Sequence, residues 1–513
     1  MITINKFKLF TKAISLLIII SMLAISSQTF YAEEEEENYG FEPDNCDRVT
    51  LSLNAPLSGF SSSYDPRNLG IDTPTKNQSP YLLCWMFATT GAIEQYASLK
   101  YGSKFDISEL HGAYARSDST ILPETNSTSG YYNINYNNGG KICQALQYYS
   151  NWNEPVFFSE NCHWESAVAE TSNSFIDTNN KITQSFQNAD SVLNITDALY
   201  LNNDSDSIKK AIIDYGGVIT SINYRKYKGL TQNGNNNDAY FFSSEHTDPN
   251  HSVVIVGWDD YYSTENFNKD GRKPNSNGAW LVRNSHSTNN SYFWLSYEEG
   301  SLFHFKSKKI CITGIKKPSK SEKMLSYDYK ELGGGFSRNT MYFCNVYDTS
   351  EYLDNYNEIT KVMMYISSTG CNYEIRVIPL SAEDNLPNNI NDYSVQATGY
   401  CNFEGYITKE LNYPVDISNA DKCAIIIKMT PLNENCLIGY LHEINGYLNN
   451  SGRSFSGIEN NSSISWIDRF SPDHTNTGNL CIRPVLHNSN YVADDVTISP
   501  TQVVPTNSDV TVK

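Results

Sequence analysis

KNQSPYLLCWMFA, at residues 76–88, is the stretch of sequence that decides the fold. Two later segments belong with it, NHSVVIVGW at residues 250–258 and AWLVRNS at residues 279–285. Together the three segments supply a glutamine, a cysteine, a histidine and an asparagine in that order along the chain. The candidate site consists of Gln78, Cys84, His251 and Asn284.

These four residue types suit one kind of chemistry. A protonated thiol is a weak nucleophile, but beside an imidazolium and at a helix N-terminus its pKa falls to roughly 3.5–7.5. Cys84 is therefore predicted as the nucleophile and His251 as the group that protonates the leaving amine. Asn284 would accept a hydrogen bond from the histidine ring and fix its orientation. The Gln78 amide would donate to the developing oxyanion, together with the Cys84 backbone N–H.

The local sequence predicts where each side chain stands. Residues 85–96 carry apolar side chains at close to a helical period, so Cys84 would open a helix where the macrodipole favours an anion. Residues 252–256 form a β-branched run that predicts a buried strand directly after the histidine. Residues 279–283 predict another strand, which delivers Asn284 at its end. A lone cysteine in an apolar frame is most often a small core residue, so the joint order of the four carries the weight.

This order of motifs resembles the papain family of cysteine proteases, over about residues 60–300. The resemblance implies an α+β fold with two lobes, one helical and one β-barrel-like. The segment NGG at residues 138–140 resembles the stretch that binds substrate backbone. The resemblance therefore assigns substrate binding to four residues near the nucleophile: Gly139, Gly140, Leu83 and Trp85.

Two departures from the family pattern lie beside the candidate site. Leu82 and Leu83 precede the cysteine, where the family usually has small residues that let substrate backbone pass close to the thiol. His286 and Ser287 follow Asn284-Ser285, where the family usually has a tryptophan that shields the asparagine–histidine hydrogen bond. The leucines predict a narrower cleft, and the missing tryptophan predicts a weaker shield.

After about residue 318 the texture of the sequence changes. Short β-rich runs alternate with Gly, Asn, Asp and Pro turns, which predicts an all-β sandwich. This region resembles the lectin-like domain that follows the protease in some clostridial surface proteases. Whether it binds sugar or serves as a structural β-domain stays open at the level of sequence.

The N-terminus has the pattern of a secretory signal, with three lysines followed by an apolar run at residues 13–25. The run is too short for a membrane span, so the mature chain is expected outside the cell or on its surface. The predicted organisation is a signal peptide (1–32), a short N-terminal or propeptide segment (33–60), a papain-like domain (61–318), a lectin-like domain (319–490), and a linker or the start of an immunoglobulin-like repeat (491–513).

Composition limits the partners. The formal net charge is −19, which argues against nucleic acid and anionic membranes. The 11 cysteines contain no CxxC pair and no histidine clustering, so no metal site is predicted. Cys143 and Cys162 are a candidate disulfide, and buried free thiols are the alternative for the others. No cofactor is implied, and a structural calcium ion in the β-domain stays open. Heavy use of Tyr and Asn suggests an AT-rich genome, as in low-GC Gram-positive bacteria.

The sequence thus predicts a secreted papain-like cysteine endopeptidase that acts on protein or peptide substrates. Its β-domain is a candidate for binding cell-wall or surface glycan. The alternative is a catalytically decayed surface or adhesion protein that binds through its lectin-like domain. Acyl transfer to a nucleophile other than water, by the same Cys-His-Asn set, is a third option that the sequence leaves open.

Overall fold

The computed structural model describes residues 38–43, 50–53, 59–73, 76–79, 81–109, 112–113, 139–152, 192–234, 237–286, 292–328, 332–443, 452–469 and 478–491. The named α-helices of this part are α1 (Cys84–Tyr101), α2 (Ile142–Ser150), α3 (Ser205–Tyr215) and α4 (Lys226–Gly229). The strands of the N-terminal half are β1 (Ser63–Tyr64), β2 (Asn194–Leu201), β3 (Val218–Ile222), β4 (Leu230–Thr231), β5 (Ala239–Tyr240), β6 (His251–Asp259), β7 (Ala279–Arg283), β8 (Tyr292–Ser296) and β9 (Lys309–Lys316).

The strands of the C-terminal half are β10 (Glu322–Met324), β11 (Leu332–Ser337), β12 (Met341–Asp348), β13 (Glu358–Ser368), β14 (Cys371–Leu380), β15 (Ala397–Cys401), β16 (Glu404–Asp416), β17 (Lys422–Pro431), β18 (Ile438–Glu443), β19 (Ser454–Asn460), β20 (Ser463–Asp468) and β21 (Ile482–His487). This half is all-β in its described residues, as the sequence predicts.

Helix α1 is the central helix of the N-terminal half. It contains the predicted helix 85–96 and extends it at both ends, to Cys84 and Tyr101. Its side chains from Cys84 to Ser98 are buried on every face, which identifies a core helix and not an amphipathic surface helix. Gly102 ends it in the left-handed conformation, with φ of 65°, and donates its N–H to Ser98.

The larger sheet spans both halves of the described chain. Its strand order is β10-β21-β13-β16-β2-β9-β3-β6-β7-β8-β5-β4, with β1 beside β6, β11 beside β18, and β18 also beside β13. In the N-terminal half, β6 pairs with β3 on one side and β7 on the other. The two halves join where β16 pairs with β2, at Gly405 opposite Leu199 and Tyr406 opposite Ala198.

The C-terminal half is a sandwich. A smaller sheet with the order β15-β14-β17-β12-β19-β20 faces the β13, β16 and β21 part of the larger sheet. One hydrophobic cluster takes residues from both sheets, among them Phe343, Ile375 and Ile425 from the smaller and Val362 and Ile407 from the larger. Burial of these aliphatic and aromatic side chains between the layers stabilises the domain.

Several predictions from sequence fall outside the described residues. They are the signal peptide at 1–32, the disulfide partner Cys162, and all but the first residue of the segment 491–513. Within the described residues, no helix is long and apolar enough to cross a membrane. That part of the chain also holds no group of three or more His, Cys, Asp or Glu side chains arranged to bind a metal ion.

Candidate active site

The candidate nucleophile stands at the start of the central helix. Cys84 is the first residue of α1, and the preceding Leu83 supplies no side-chain cap to the helix N-terminus. The unpaired N–H groups of that first turn favour a negative charge on the thiol. Cys84 is nevertheless fully buried in this structure, because residues near Tyr39, in the N-terminal segment, pack over it.

The candidate base and its orienting group come from adjacent strands. His251 is the first residue of β6, and Asn284 directly follows the last residue of β7, the strand paired with β6. The His251 Nε2 atom lies 2.8 Å from the Asn284 Oδ1 atom, in a fully buried contact. The Nδ1 atom of His251 has no hydrogen-bond partner among the described residues, so it is the nitrogen available to the thiol.

Gln78 points its side-chain amide at the N-terminus of α1. Its Nε2 donates to the Tyr39 carbonyl at 2.9 Å, and the Cys84 backbone N–H donates to the same oxygen at 3.4 Å. The Ser285 hydroxyl donates to Gln78 Oε1 at 2.8 Å and fixes which end of the amide faces the cysteine. Two donors that converge on one carbonyl oxygen are the arrangement that an oxyanion hole requires.

A buried ionic network connects the segments that carry these side chains. Glu94, on α1, accepts from Lys76 at 2.7 Å and from Arg283 at 2.9 Å. Lys76 lies two residues before Gln78, and Arg283 lies one residue before Asn284. One carboxylate on the central helix therefore holds both approach segments in register with Cys84.

The N-terminal segment of the described chain occupies the cleft. Residues 39–42 run past Gly140 in a parallel bridge centred on Phe41. Gly140 donates to the Gly40 carbonyl at 2.9 Å and accepts from the Glu42 N–H at 3.0 Å. The carbonyl of Tyr39 accepts from both of the predicted oxyanion donors. An extended segment of the same chain, residues 39–42, thus already lies in the candidate cleft. We call this segment the strand, although it forms only an isolated bridge.

This strand fits because of one glycine. Gly40 has φ of +93°, and a Cβ added there would lie 2.0 Å from the carbonyl oxygen of Leu82. Both the conformation and the space exclude a side chain at this position. The close approach to Gly40 is made by the Leu82 backbone and not by its side chain, and the Leu83 side chain is buried in the hydrophobic core of the protease half.

Aromatic rings enclose the imidazole of His251. The Tyr39 ring packs 4.7 Å from it, and the Tyr224 ring packs 5.3 Å from it. The Tyr39 ring also meets the His286 ring edge-on at 4.8 Å. Asn284 is buried as well, so in this structure the asparagine–histidine bond is shielded without the tryptophan that the family usually has.

Burial in this arrangement favours the neutral form of both candidate catalytic groups. Burial raises the pKa of the Cys84 thiol to about 12. Burial lowers the pKa of His251 to about 3, with a further lowering from the nearby His286 and an opposing effect of the Asn284 hydrogen bond. Desolvation disfavours each charged form, so the thiol keeps its proton and the imidazole stays uncharged while the strand covers them.

The remaining predicted site residues take different places. Gly139, with φ of +89°, and Gly140 both contact the strand, since a Cβ on Gly139 would lie 2.9 Å from the Gly40 carbonyl oxygen. Trp85 lies beneath Gly140, where an added Cβ would come within 2.5 Å of its ring. Trp85 thus packs against the stretch that the sequence predicts to bind substrate.

Sequence reasoning missed two contributors to the site. Tyr39 and Gly40 lie in a segment predicted as a short N-terminal or propeptide segment with no role assigned to these two residues, and the signal was the isolated YGF at residues 39–41 beside an acidic run. Tyr224 follows strand β3, and a tyrosine there gives no sequence signal that its ring will pack against His251.

Comparisons with known proteins agree with this architecture. Residues 60–311 match the model of the papain family of cysteine proteases, and residues 327–485 match the model of a lectin-like domain. The chain therefore carries a papain-family cysteine protease domain followed by a lectin-like domain, and the predicted fold class is confirmed.

Two solved structures resemble the whole described arrangement. The cysteine protease and lectin-like domains of Cwp84, a surface layer associated protein of Clostridium difficile, match with a TM-score of 0.69 and 25% identity, over 92% of this chain and 96% of that chain. The clostridial Cwp84 after propeptide cleavage matches with a TM-score of 0.68 and 26% identity, over 84% of this chain and 100% of that chain.

Curated relatives match more narrowly. Procathepsin L of Felis catus is 25% identical over 233 residues, which are 44% of this chain and 57% of that protein. Pro-cathepsin H of Mus musculus is 31% identical over 84 residues, which are 16% of this chain and 25% of that protein. The chain thus spans little more than half the length of the first of these relatives and a quarter of the second.

Proposed function

We propose that the chain is an exported cysteine endopeptidase, synthesised in a latent form. The observation that carries the proposal is the Tyr39 carbonyl, held at once by the Gln78 amide and the Cys84 backbone N–H. A peptide carbonyl already sits where a scissile carbonyl must sit. The His251–Asn284 pair, beside the first turn of the same helix, adds the proton carrier.

The geometry supports a two-step reaction once the strand leaves. The Cys84 thiolate attacks the peptide carbonyl carbon, and the two donors stabilise the negative oxygen. The His251 imidazolium gives its proton to the amine as the C–N bond breaks, which leaves an acyl-enzyme. His251 then takes a proton from water, the hydroxide attacks the thioester carbonyl, and Cys84 departs as thiolate. Asn284 holds the ring throughout.

Residues 33–60 act as a short propeptide in this proposal, with the strand 39–42 as its inhibitory part. Four backbone-directed hydrogen bonds hold the strand, and burial keeps Cys84 and His251 uncharged. The segment 39–42 runs parallel to the chain at Gly140. Because the Tyr39 carbonyl occupies the proposed oxyanion position, a substrate carbonyl is excluded from it. Activation requires that the strand be displaced or cut away.

The relatives support a place at the cell surface. Cwp84 is described as a surface layer associated protein, and the signal-like N-terminus of this chain fits export. We therefore propose secretion to the surface of a Gram-positive bacterium, with proteins or peptides as substrates. The lectin-like domain would contact cell-wall or surface glycan.

Labelling and turnover test the proposal together. After processing, the chain should hydrolyse peptides and bind an epoxide thiol-protease inhibitor covalently at Cys84. Cys84→Ala should abolish both while leaving the circular dichroism spectrum unchanged. A processed, folded chain that takes no label and cleaves no peptide would instead favour the non-enzymatic adhesion protein. Transfer of the acyl group to an added amine in preference to water would favour acyl transfer.

A further inference from the structure

We propose that the lectin-like domain holds the substrate-binding wall of the protease in place, with Arg483 and Asp328 as the positioning residues. The wall is helix α2 together with Gly140, which precedes it. The inference rests on the proposed function, because it assigns a role in positioning the cleft of that same site. It gives the C-terminal domain a role in catalysis that needs no bound sugar.

The contact is a fully buried ion pair at the end of α2. The Arg483 Nε atom lies 3.0 Å from Asp328 Oδ1, and its Nη2 atom lies 2.6 Å from Asp328 Oδ2. Both side chains have no exposed surface. The remaining nitrogen, Nη1, donates to the Ser150 carbonyl at 2.9 Å and contacts the Ser150 hydroxyl oxygen at 3.0 Å. Ser150 is the last residue of α2.

Two further buried hydrogen bonds join the same helix end to the same segment. Gln147 Nε2 donates to the Asp328 carbonyl at 3.2 Å. Asn151 Nδ2 donates to the Ser326 hydroxyl at 2.9 Å. The final turn of α2 and the residue after it therefore direct three side chains and one carbonyl at residues beyond the protease match. These polar contacts fix the end of α2 relative to the segment that begins the lectin-like domain.

The other end of α2 is the cleft. Gly140 lies two residues before the helix, and both its N–H and its carbonyl are hydrogen-bonded to the strand in the cleft. The ring of Trp85 leaves no room beneath it, since an added Cβ would come within 2.5 Å. A helix of nine residues is a rigid rod. A shift at Ser150 therefore moves Gly140 against the substrate backbone.

The ion pair is better suited to fix geometry than to add stability. Desolvation of two charges offsets most of their attraction, so buried ion pairs are often replaceable by apolar side chains without loss of stability. Here the guanidinium uses all three nitrogens in directed contacts, and it also packs 5.5 Å over the Tyr406 ring. Such a fork tolerates only one position of the helix end.

The test replaces the pair and measures the cleft in two ways. The variant is Asp328→Asn with Arg483→Met, which removes both charges together. The matched control is Glu374→Gln with Arg376→Met, an ion pair of 2.8 Å within the lectin-like domain. The first readout is the alkylation rate of Cys84 in the unprocessed full chain, mapped by mass spectrometry. The second is kcat and KM of the processed chain.

We expect the junction variant to react about tenfold faster at Cys84, because the strand loses its fixed partner at Gly140, a change equivalent to about 1.4 kcal/mol. After processing, its KM should rise by a similar factor with kcat within about twofold, since ground-state binding is what Gly140 supplies. The control pair should change neither quantity. Ser326→Ala, which removes one hydrogen bond, should shift both readouts in the same direction by a smaller factor.

Unchanged alkylation and unchanged KM in a folded junction variant would overturn the inference. An equal change in the control would also overturn it, because general loosening would then explain both. If the double variant fails to fold, Ser326→Ala decides alone by the same criteria. Alkylation of Cys84 needs no peptide turnover. A wild-type chain without peptidase activity would therefore refute the proposed function, while the alkylation rates would still test this inference.

Discussion

Gly40 is the residue on which the proposed latency depends most directly, and Gly40→Ala should activate the unprocessed chain. The backbone there has φ of +93°, and the new Cβ would lie 2.0 Å from the Leu82 carbonyl oxygen and 2.2 Å from its carbon. Backbone atoms are the obstacle, so no side-chain rotation relieves the overlap. The strand must leave the oxyanion position, or the helix N-terminus must shift.

The expected size follows from what holds the strand. Four hydrogen bonds join it to Gln78, Cys84 and Gly140, each worth roughly 0.5–1.5 kcal/mol net. A left-handed alanine costs about 1–2 kcal/mol before the overlap is counted. With an overlap cost of similar size, the closed state loses about 2–4 kcal/mol, which lies within the roughly 2–6 kcal/mol that the four bonds supply together. At tenfold per 1.4 kcal/mol, this loss would raise the open fraction of the unprocessed chain roughly 30- to 700-fold.

The assay is hydrolysis of a fluorogenic peptide by the unprocessed chain, with Cys84 alkylation as a second measure. Gly70→Ala is the matched control, because Gly70 has a similar φ of +70° and an added Cβ would meet nothing within 4 Å. It should leave the unprocessed chain silent. A silent Gly40→Ala chain would refute the inhibitory role of the strand, and equal activation by Gly70→Ala would attribute release to general strain.

Three further predictions concern single side chains. His251→Ala should abolish peptide hydrolysis by the processed chain, whereas His286→Ala should retain it, and the reverse order of effects would contradict the assignment of the base. Leu83→Ala should lower the free energy of unfolding by about 2–5 kcal/mol, because this fully buried side chain lies in the core. Urea titration measures the change. Unchanged stability with a changed peptide-library cleavage profile would show instead that Leu83 lines the cleft. Tyr224→Phe should keep kcat, whereas Tyr224→Ala should lower it by exposing the ring of His251, and equal kcat for the two variants would show that the stacked ring is dispensable.

The elements that carry the catalytic side chains could be predicted because their sequences are locally consistent. Strand β7 was expected at 279–283 and occupies Ala279–Arg283. Strand β6 was expected at 252–256 and extends to His251–Asp259. Both consist mainly of buried apolar residues, so propensity and burial favour the same structure. Helix α1 was underestimated at its C-terminal end because burial on every side leaves no polar face to mark its length.

Other features depend on contacts that no local pattern reveals. The sequence patterns predicted no helix at residues 205–215, yet Ser205–Tyr215 is helix α3, capped by Asp204 and ended by Gly216. Those capping residues were the available signal. The pairing of β2 with β16 joins residues about 200 positions apart in the chain, and the seat of Tyr39 in the cleft is equally non-local. Long-range contacts of this kind leave no periodicity in either partner.

The pH dependence of opening tests whether Cys84 and His251 form a thiolate–imidazolium ion pair or titrate as two independent groups. In the closed chain near neutral pH, Cys84 and His251 together hold one titratable proton. That proton is on Cys84, because the thiol pKa is about 12 and the His251 pKa is about 3. If opening creates a thiolate and an imidazolium, the open pair also holds one proton. Opening then takes up none, and its equilibrium should not change with pH near neutrality.

Cys84→Ala removes the proton donor and should change that behaviour. The closed imidazole stays neutral, while the exposed imidazole regains a pKa near its ordinary 6.5. Opening then takes up one proton, so the closed state keeps its full stability above pH 6.5 and loses it as pH falls towards 3. The expected slope is about tenfold per pH unit. Hydrogen exchange of residues 38–42, corrected for intrinsic rates, measures the opening of both chains. A slope of that size in the wild-type chain as well would show that the open thiol keeps its proton, and that nucleophile and base act as separate groups.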